Sequence, residues 1–410
     1  MSVFARMLGL ILALACALPS ARAMGDKQPA AIQQALDHIT ARSKASRSDA
    51  LLVMRGDEVL LEHYTTATPE PIELMSVTKS VVALVVAHLM SEGTIASLDT
   101  PVAHWYPEWQ QGRKKHITLR MLMDHTSGLQ NMANAGEEIY PASDVVQLAL
   151  SAELDAEPGE QFSYNNKAVN LLAGIVERAS GQALDTYAHE HVFVPLGIQV
   201  GVWQKDSAGH PHVMAGLSLT ARDAARLGRL LLDRGRWEGT PLIDSQFIEA
   251  LVRPSERSGD VGLLWWLHPA WVRFSVDERT FALLEDRGID AKLVAALDPL
   301  RGRSFDTFAG LSEALSDMFG ADWRARWNRE VVETSGIGPY RAFNAVTGPV
   351  AVHAANGYLG QFIVVIPAAN LIGVRQIRER EDYRPSDGFA DFTEAMTELA
   401  VAINPSIVQQ

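Results

Sequence analysis

The sequence predicts an α+β fold in which one sheet is closed by distant pieces of chain. Two strand clusters near opposite ends and a mostly helical stretch between them carry that expectation. From Ala50 to Tyr64 two apolar segments, Leu51 to Met54 and Val59 to Leu61, are joined by Arg55-Gly56-Asp57-Glu58, which is hairpin chemistry. The second cluster runs from Phe362 to Ile366, turns at Pro367-Ala368-Ala369-Asn370 and continues from Leu371 to Ile377. Between them, Ser76 to Met90 is apolar on nearly every side and ends at Glu92-Gly93, which predicts a helix buried inside the protein. Val169 to Ala179, Ala221 to Arg234 and Phe389 to Ile403 carry the 3.6-residue stripe of half-buried helices. No internal repeat or low-complexity tract is evident.

The 410 residues are 47% apolar and 21% charged, the composition of a globular protein with a substantial core. The net charge of −13 argues against a nucleic-acid partner, because no excess of cations is available to neutralise phosphates. The single cysteine, Cys16, excludes an internal disulfide and a thiolate zinc site. Arg6 precedes an apolar run from Met7 to Leu18, then Pro19-Ser20 and Ala21-Arg22-Ala23, with small residues where a signal peptidase reads. Residues 1–23 are therefore read as a signal peptide, and residues 24–410 as a periplasmic or secreted domain with no stable membrane insertion once the signal is removed. A run of that length covers only about half of a bilayer core, which weighs against an anchor. Lipidation at Cys16 is the other alternative, and Ala13 stands where a larger aliphatic residue is expected.

Residues 277–340 differ from the rest. Phe305, Phe308, Leu311, Leu315 and Phe319 form an apolar stripe behind a cap at Ser304, and Trp323 and Trp327 lie four apart, which predicts several short helices. Two readings stand open for this insertion, a peripheral elaboration and a lid.

The chemistry begins at Met75-Ser76-Val77-Thr78-Lys79-Ser80. A serine in the first helical turn places its hydroxyl near unpaired N–H groups and the positive end of the helix dipole. Lys79, three residues on, faces the same side. In an apolar helix its ammonium is desolvated, so a neutral amine becomes accessible as a base. The bland alternative is a serine cap beside a snorkelling lysine. Tyr164-Asn165-Asn166 follows Pro158-Gly159-Glu160. Its phenol can relay a proton, and Asn166 offers a donor and an acceptor to a substrate amide or to Lys79. His353 to Gln361 leads into the Phe362 strand, and its glycines allow close approach to a ligand.

These motifs, with Leu122-Met123-Asp124-His125-Thr126-Ser127-Gly128-Leu129 and Pro195-Leu196-Gly197, resemble in order the serine β-lactamase-related family. That superfamily contains class C β-lactamases, DD-peptidases, their esterase relatives and 6-aminohexanoate-dimer hydrolases. The resemblance covers residues 45–275 and 341–400. It implies an antiparallel sheet flanked by helices, with an adjoining helical region at about 101–219 and the active site between them. It further implies that Ser76 is the acylated nucleophile, Lys79 its partner, Tyr164 a proton-transfer group and Asn166 a substrate-facing amide. Ala355-Asn356-Gly357 would match the family's Lys-Thr-Gly motif, so that Asn356 and Gly357 line the substrate site and the Tyr358 N–H completes an oxyanion hole with that of Ser76. A register three residues earlier would use Val352-His353-Ala354 and bring His353 nearer the substrate. Neither register supplies the strand cation that binds a substrate carboxylate in β-lactamases and DD-peptidases. A charge-assisted contact of that kind is worth about 1.5–3 kcal/mol, so ester or amide hydrolysis is favoured over β-lactam turnover.

The expected activity is therefore a serine hydrolase acting on a small-molecule ester, amide or peptide without a cofactor. The alternatives are a β-lactamase or DD-peptidase-like enzyme, or a non-catalytic protein that binds β-lactams or peptidoglycan fragments. No Gly-x-Ser-x-Gly elbow exists for a Ser-His-Asp hydrolase. The pairs His189/His191 and His210/His212 lack metal-ligand spacing, and no metal is expected. His125 is read as satisfying local backbone, and Thr220 as a helix cap with Asp223 in the first turn.

Overall fold

The computed structural model describes residues 27–132 and 134–409. The predicted signal peptide and Cys16 lie outside the described residues. The predicted hairpin forms as β1 (Ala50–Arg55) and β2 (Glu58–Tyr64), and the late cluster as β5 (Gln361–Ile366) and β6 (Leu371–Gln376). Two strands that the pattern does not single out, β3 (Trp266–Pro269) and β4 (Val350–Gly357), complete a six-stranded sheet. Its order is β2-β1-β6-β5-β4-β3 and every neighbouring pair is antiparallel. The closure by distant pieces is the β1–β6 pairing, with Leu52 opposite Val374.

Alternation along the strands divides the core. Leu52, Ile363, Val365, Ile372 and Val374 join the larger cluster, which contains the buried helix α2 (Val77–Ser91) and α3 (Ala221–Leu232). Leu51, Val53, Val364, Ile366 and Leu371 pack under α1 (Lys27–Ala45) and α4 (Phe392–Ile403). The sheet is thus the middle of three layers. Helix α3 approaches it closely at Gly228, where a Cβ would come within 3.1 Å of both Ile363 and Ile372. Thr220 caps α3 by accepting from the Asp223 N–H, as its sequence predicts. Helix α2 is buried at every position from Val77 to Met90, which accounts for its lack of an apolar stripe. The predicted helix over 169–179 is two helices, Asn166–Val169 and Leu171–Ser180, which meet at Asn170.

The 277–340 region belongs to a unit with its own core, including Phe274, Leu284, Leu311, Trp323, Trp327 and Phe343. Its helix Phe308–Phe319 is capped by Thr307, which accepts from the Gly310 N–H. Ser304, the expected cap, lies instead in a short strand with Phe305, because Phe305 is buried by pairing opposite Phe274. The unit leaves the main sheet at Pro269 and returns at Val350, the end of the β3–β4 pair far from Gly357. At its base the Gly348 N–H donates to the Trp271 carbonyl at 2.9 Å. Replacing residues 272–347 by a two-residue turn is expected to leave one cooperative unfolding transition, with its midpoint shifted by only a few degrees. A variant without a cooperative thermal melt by circular dichroism would show that the two cores stabilise each other.

Candidate active site

The site forms where the first turn of α2, the free end of β4 and the adjoining helical region meet. Met75 enters α2 with φ of +48°, and the Ser76 N–H donates to no acceptor among the described residues. Ser76 caps the helix by position, yet its hydroxyl makes no cap hydrogen bond. That removes the reading of Ser76 as a mere cap. Its Oγ lies 2.9 Å from Lys79 Nζ, which also donates to the Met214 carbonyl at 2.8 Å. Lys79 is 2% exposed, and burial alone holds its pKa well below the ordinary lysine value, with no carboxylate acting to restore the charge.

Tyr164 closes the triangle. Lys79 Nζ lies 4.9 Å from the centre of its ring. Burial raises the phenol's pKa, and a hydrogen bond from Ser76 offsets part of that rise. The two shifts run in opposite directions, and each favours the uncharged form of its group. Asn165, not Asn166, caps the helix that follows, accepting from the Ala168 N–H at 2.8 Å and donating to the Leu129 carbonyl. Asn166 makes no hydrogen bond to Lys79 and is not among the residues lining the cleft; its Oδ1 is buried without a partner. The Met214 carbonyl, rather than Asn166, accepts from Lys79, and Asn170 positions that carbonyl by accepting from the N–H groups of Val213 and Met214 at 2.9 and 3.3 Å.

The third motif arrives along β4. Strand β3 covers β4 only as far as Ala354, so the edge from Ala355 onward is free. Asn356 lines the cleft, and Gly357 abuts the turn into Ser76 so closely that a Cβ would lie 2.6 Å from the Leu74 carbonyl oxygen. His353 instead pairs with Leu267 and Val365 and does not line the cleft. The Tyr358 side chain is exposed, and it is followed by Leu359 at φ of +66°. Arg375 on β6, fully buried, secures this turn: its guanidinium donates to the carbonyls of Leu359, Gly360, Ser46 and Asp387 and to Ser48 Oγ.

The cleft is completed by Ser80, His125, Val261, Leu264, Trp265 and Trp266. The Trp266 ring stacks on Tyr164 at 6.0 Å, and the Trp265 Nε1–H is buried without a partner. The sequence pattern assigns none of these six to the site, and His125 is read there as satisfying local backbone. The adjacent tryptophans after Gly262 were the one available signal. His125 and Leu264 in the cleft, Met75 at the entry to α2 and Leu359 after β4 adopt positive φ. Among the described residues no group of three or more His, Cys, Asp or Glu is placed to hold a metal ion.

A family model described as Beta-lactamase matches residues 30–377. The chain belongs to that family. Among its relatives, the 6-aminohexanoate-dimer hydrolase of Paenarthrobacter ureafaciens is 29% identical over 253 residues, which cover 55% of this chain and 62% of that one. Esterase EstB of Burkholderia gladioli is 35% identical over 145 residues, covering 31% and 36%. The chain therefore spans less than two thirds of the length of either relative. The octameric penicillin-binding protein homologue from Pyrococcus abyssi has a TM-score of 0.55 at 16% identity, with 92% of this chain and 80% of that chain covered. That likeness establishes the shared fold. The beta-lactamase-family frame places the sheet and α2 as the motif resemblance implied.

Proposed function

We propose that this protein is an exported serine hydrolase that cleaves an ester or amide bond through an acyl-enzyme on Ser76. The observation that carries the reading is a buried amine without an acid partner, 2.9 Å from a serine hydroxyl that caps no helix N–H. Lys79 takes the Ser76 proton as Oγ attacks the substrate carbonyl. The developing oxyanion is held by the N–H groups of Ser76 and Tyr358. As the C–O or C–N bond breaks, Tyr164 protonates the leaving group and recovers a proton from Lys79. Water then repeats the sequence in reverse order, delivering the acyl group as an acid and regenerating Ser76.

The substrate is a neutral ester or amide, because β4 offers Ala355 where a carboxylate-binding cation would stand. Relatives named esterase and dimer hydrolase support ester or amide hydrolysis. A fluorophosphonate is expected to label the protein stoichiometrically at Ser76, and p-nitrophenyl acetate is expected to turn over, with both signals lost in Ser76→Ala. Nitrocefin is expected to be a poor substrate. Stoichiometric capture of a β-lactam without ester turnover would favour a binding protein instead. Export rests on residues 1–23, and a mature N-terminus at Met24 in a periplasmic or culture fraction is the expected result.

A further inference from the structure

His125 was expected to serve local backbone, but it faces the cleft. It is 3% exposed and held at φ of +60°, a conformation unfavourable to a non-glycine residue. Its ring lies 4.5 Å from that of Tyr164. The Asn165 N–H donates to Nδ1 at 3.2 Å, so Nδ1 carries no proton and Nε2 does. Burial, and then the nearby Lys79, hold the imidazole pKa down to about 3, which keeps that tautomer neutral. Nε2 has no protein partner among the described residues, and it is not sealed in. The open space that His125 touches is the cleft. A neutral N–H donor is thus presented beside the phenol that protonates the leaving group.

We propose that His125 Nε2–H binds the departing oxygen of the substrate and so selects esters over amides. The inference rests on the acyl-enzyme reading above. In the tetrahedral intermediate an ester's leaving oxygen has two lone pairs. One receives the proton from Tyr164 and the other accepts the hydrogen bond from His125, so an alcohol departs as the C–O bond breaks and the acyl group stays on Ser76. An amide's leaving nitrogen has one lone pair, which the Tyr164 proton consumes, and its own N–H would oppose Nε2–H. After the alcohol leaves, water takes the same place and accepts the same bond.

Asparagine and glutamine separate the two ring nitrogens. His125→Asn keeps an acceptor at the Nδ1 position for the Asn165 N–H and tolerates positive φ, but it removes the donor into the cleft. His125→Gln keeps a donor at the Nε2 position and suits the backbone less well. The wild type and both variants are assayed on ethyl acetate, whose alkoxide needs help to leave, and on p-nitrophenyl acetate, whose phenolate does not. Thermal melts run alongside. His125→Asn is expected to melt at the higher temperature of the two variants, yet to lose about 10- to 100-fold in kcat/KM on the ethyl ester and much less on the p-nitrophenyl ester. His125→Gln is expected to retain the wild-type ratio between the two esters. Equal losses on both esters in His125→Asn, or a rate that follows melting temperature across the variants, would overturn the inference. Failure of the acyl-enzyme reading is a separate result: no fluorophosphonate labelling of the wild type at Ser76.

Discussion

Lys79→Met is expected to lower kcat on p-nitrophenyl acetate by about 10²–10⁴-fold while leaving the protein folded. Methionine fills the same volume and is at home in an apolar helix, so the change removes the amine and little else. The Met214 carbonyl loses a donor, a cost of about 1–3 kcal/mol against the removal of a desolvated amine from the interior. The pH dependence follows from the same group. Protonated Lys79 cannot accept the Ser76 proton, so kcat/KM is expected to fall as pH is lowered through the Lys79 pKa. That midpoint lies below the ordinary lysine range because burial disfavours the ammonium. Burial shifts Tyr164 upward, so its ionisation does not limit the rate until the solution is more alkaline than the usual tyrosine midpoint. A Lys79→Met enzyme with most of the wild-type rate, or an acid limb at the usual lysine pKa, would rule out the amine as base.

Arg375→Met is expected to destabilise the protein by about 3–5 kcal/mol and to slow it as well. Arg375 is buried among neutral acceptors, and burial lowers its pKa to about 10. Removing it leaves the carbonyls of Leu359, Gly360, Ser46 and Asp387 and the Ser48 hydroxyl without that donor. Two of those carbonyls belong to the turn that immediately follows Tyr358, whose N–H faces the developing oxyanion in the proposed mechanism. Urea denaturation is expected to give a lower midpoint with an unchanged slope. Below the transition, kcat is expected to fall more than KM rises. A variant that is less stable yet fully active when folded would detach the turn from catalysis.

What the sequence made legible was what local geometry determines. The Ser76–Lys79 pair follows from one helical turn, and the hairpins at 50–64 and 361–376 follow from alternation with turn residues between. Features set by distant partners were not visible. His125 binds the backbone of Asn165, 40 residues away, so a reading confined to its neighbours placed it outside the chemistry. The Met214 carbonyl that steadies Lys79 is main chain and carries no residue signal at all. Strand β3 has four residues and ends at Pro269, too short to show an alternating pattern. Ser304 failed as a cap because Phe305 found a sheet partner from outside its own stripe.

The central position of β6 dictates an order of assembly. β1 and β2 leave the ribosome early, but the strand that joins them to β5 is residues 371–376. At translation rates of about 5–20 residues per second, the first hairpin waits on the order of 15–60 s with one edge unpaired. Nascent chains halted before residue 371 should therefore be digested readily by protease from Ala50 to Tyr64, and should need a holding chaperone to stay dispersed.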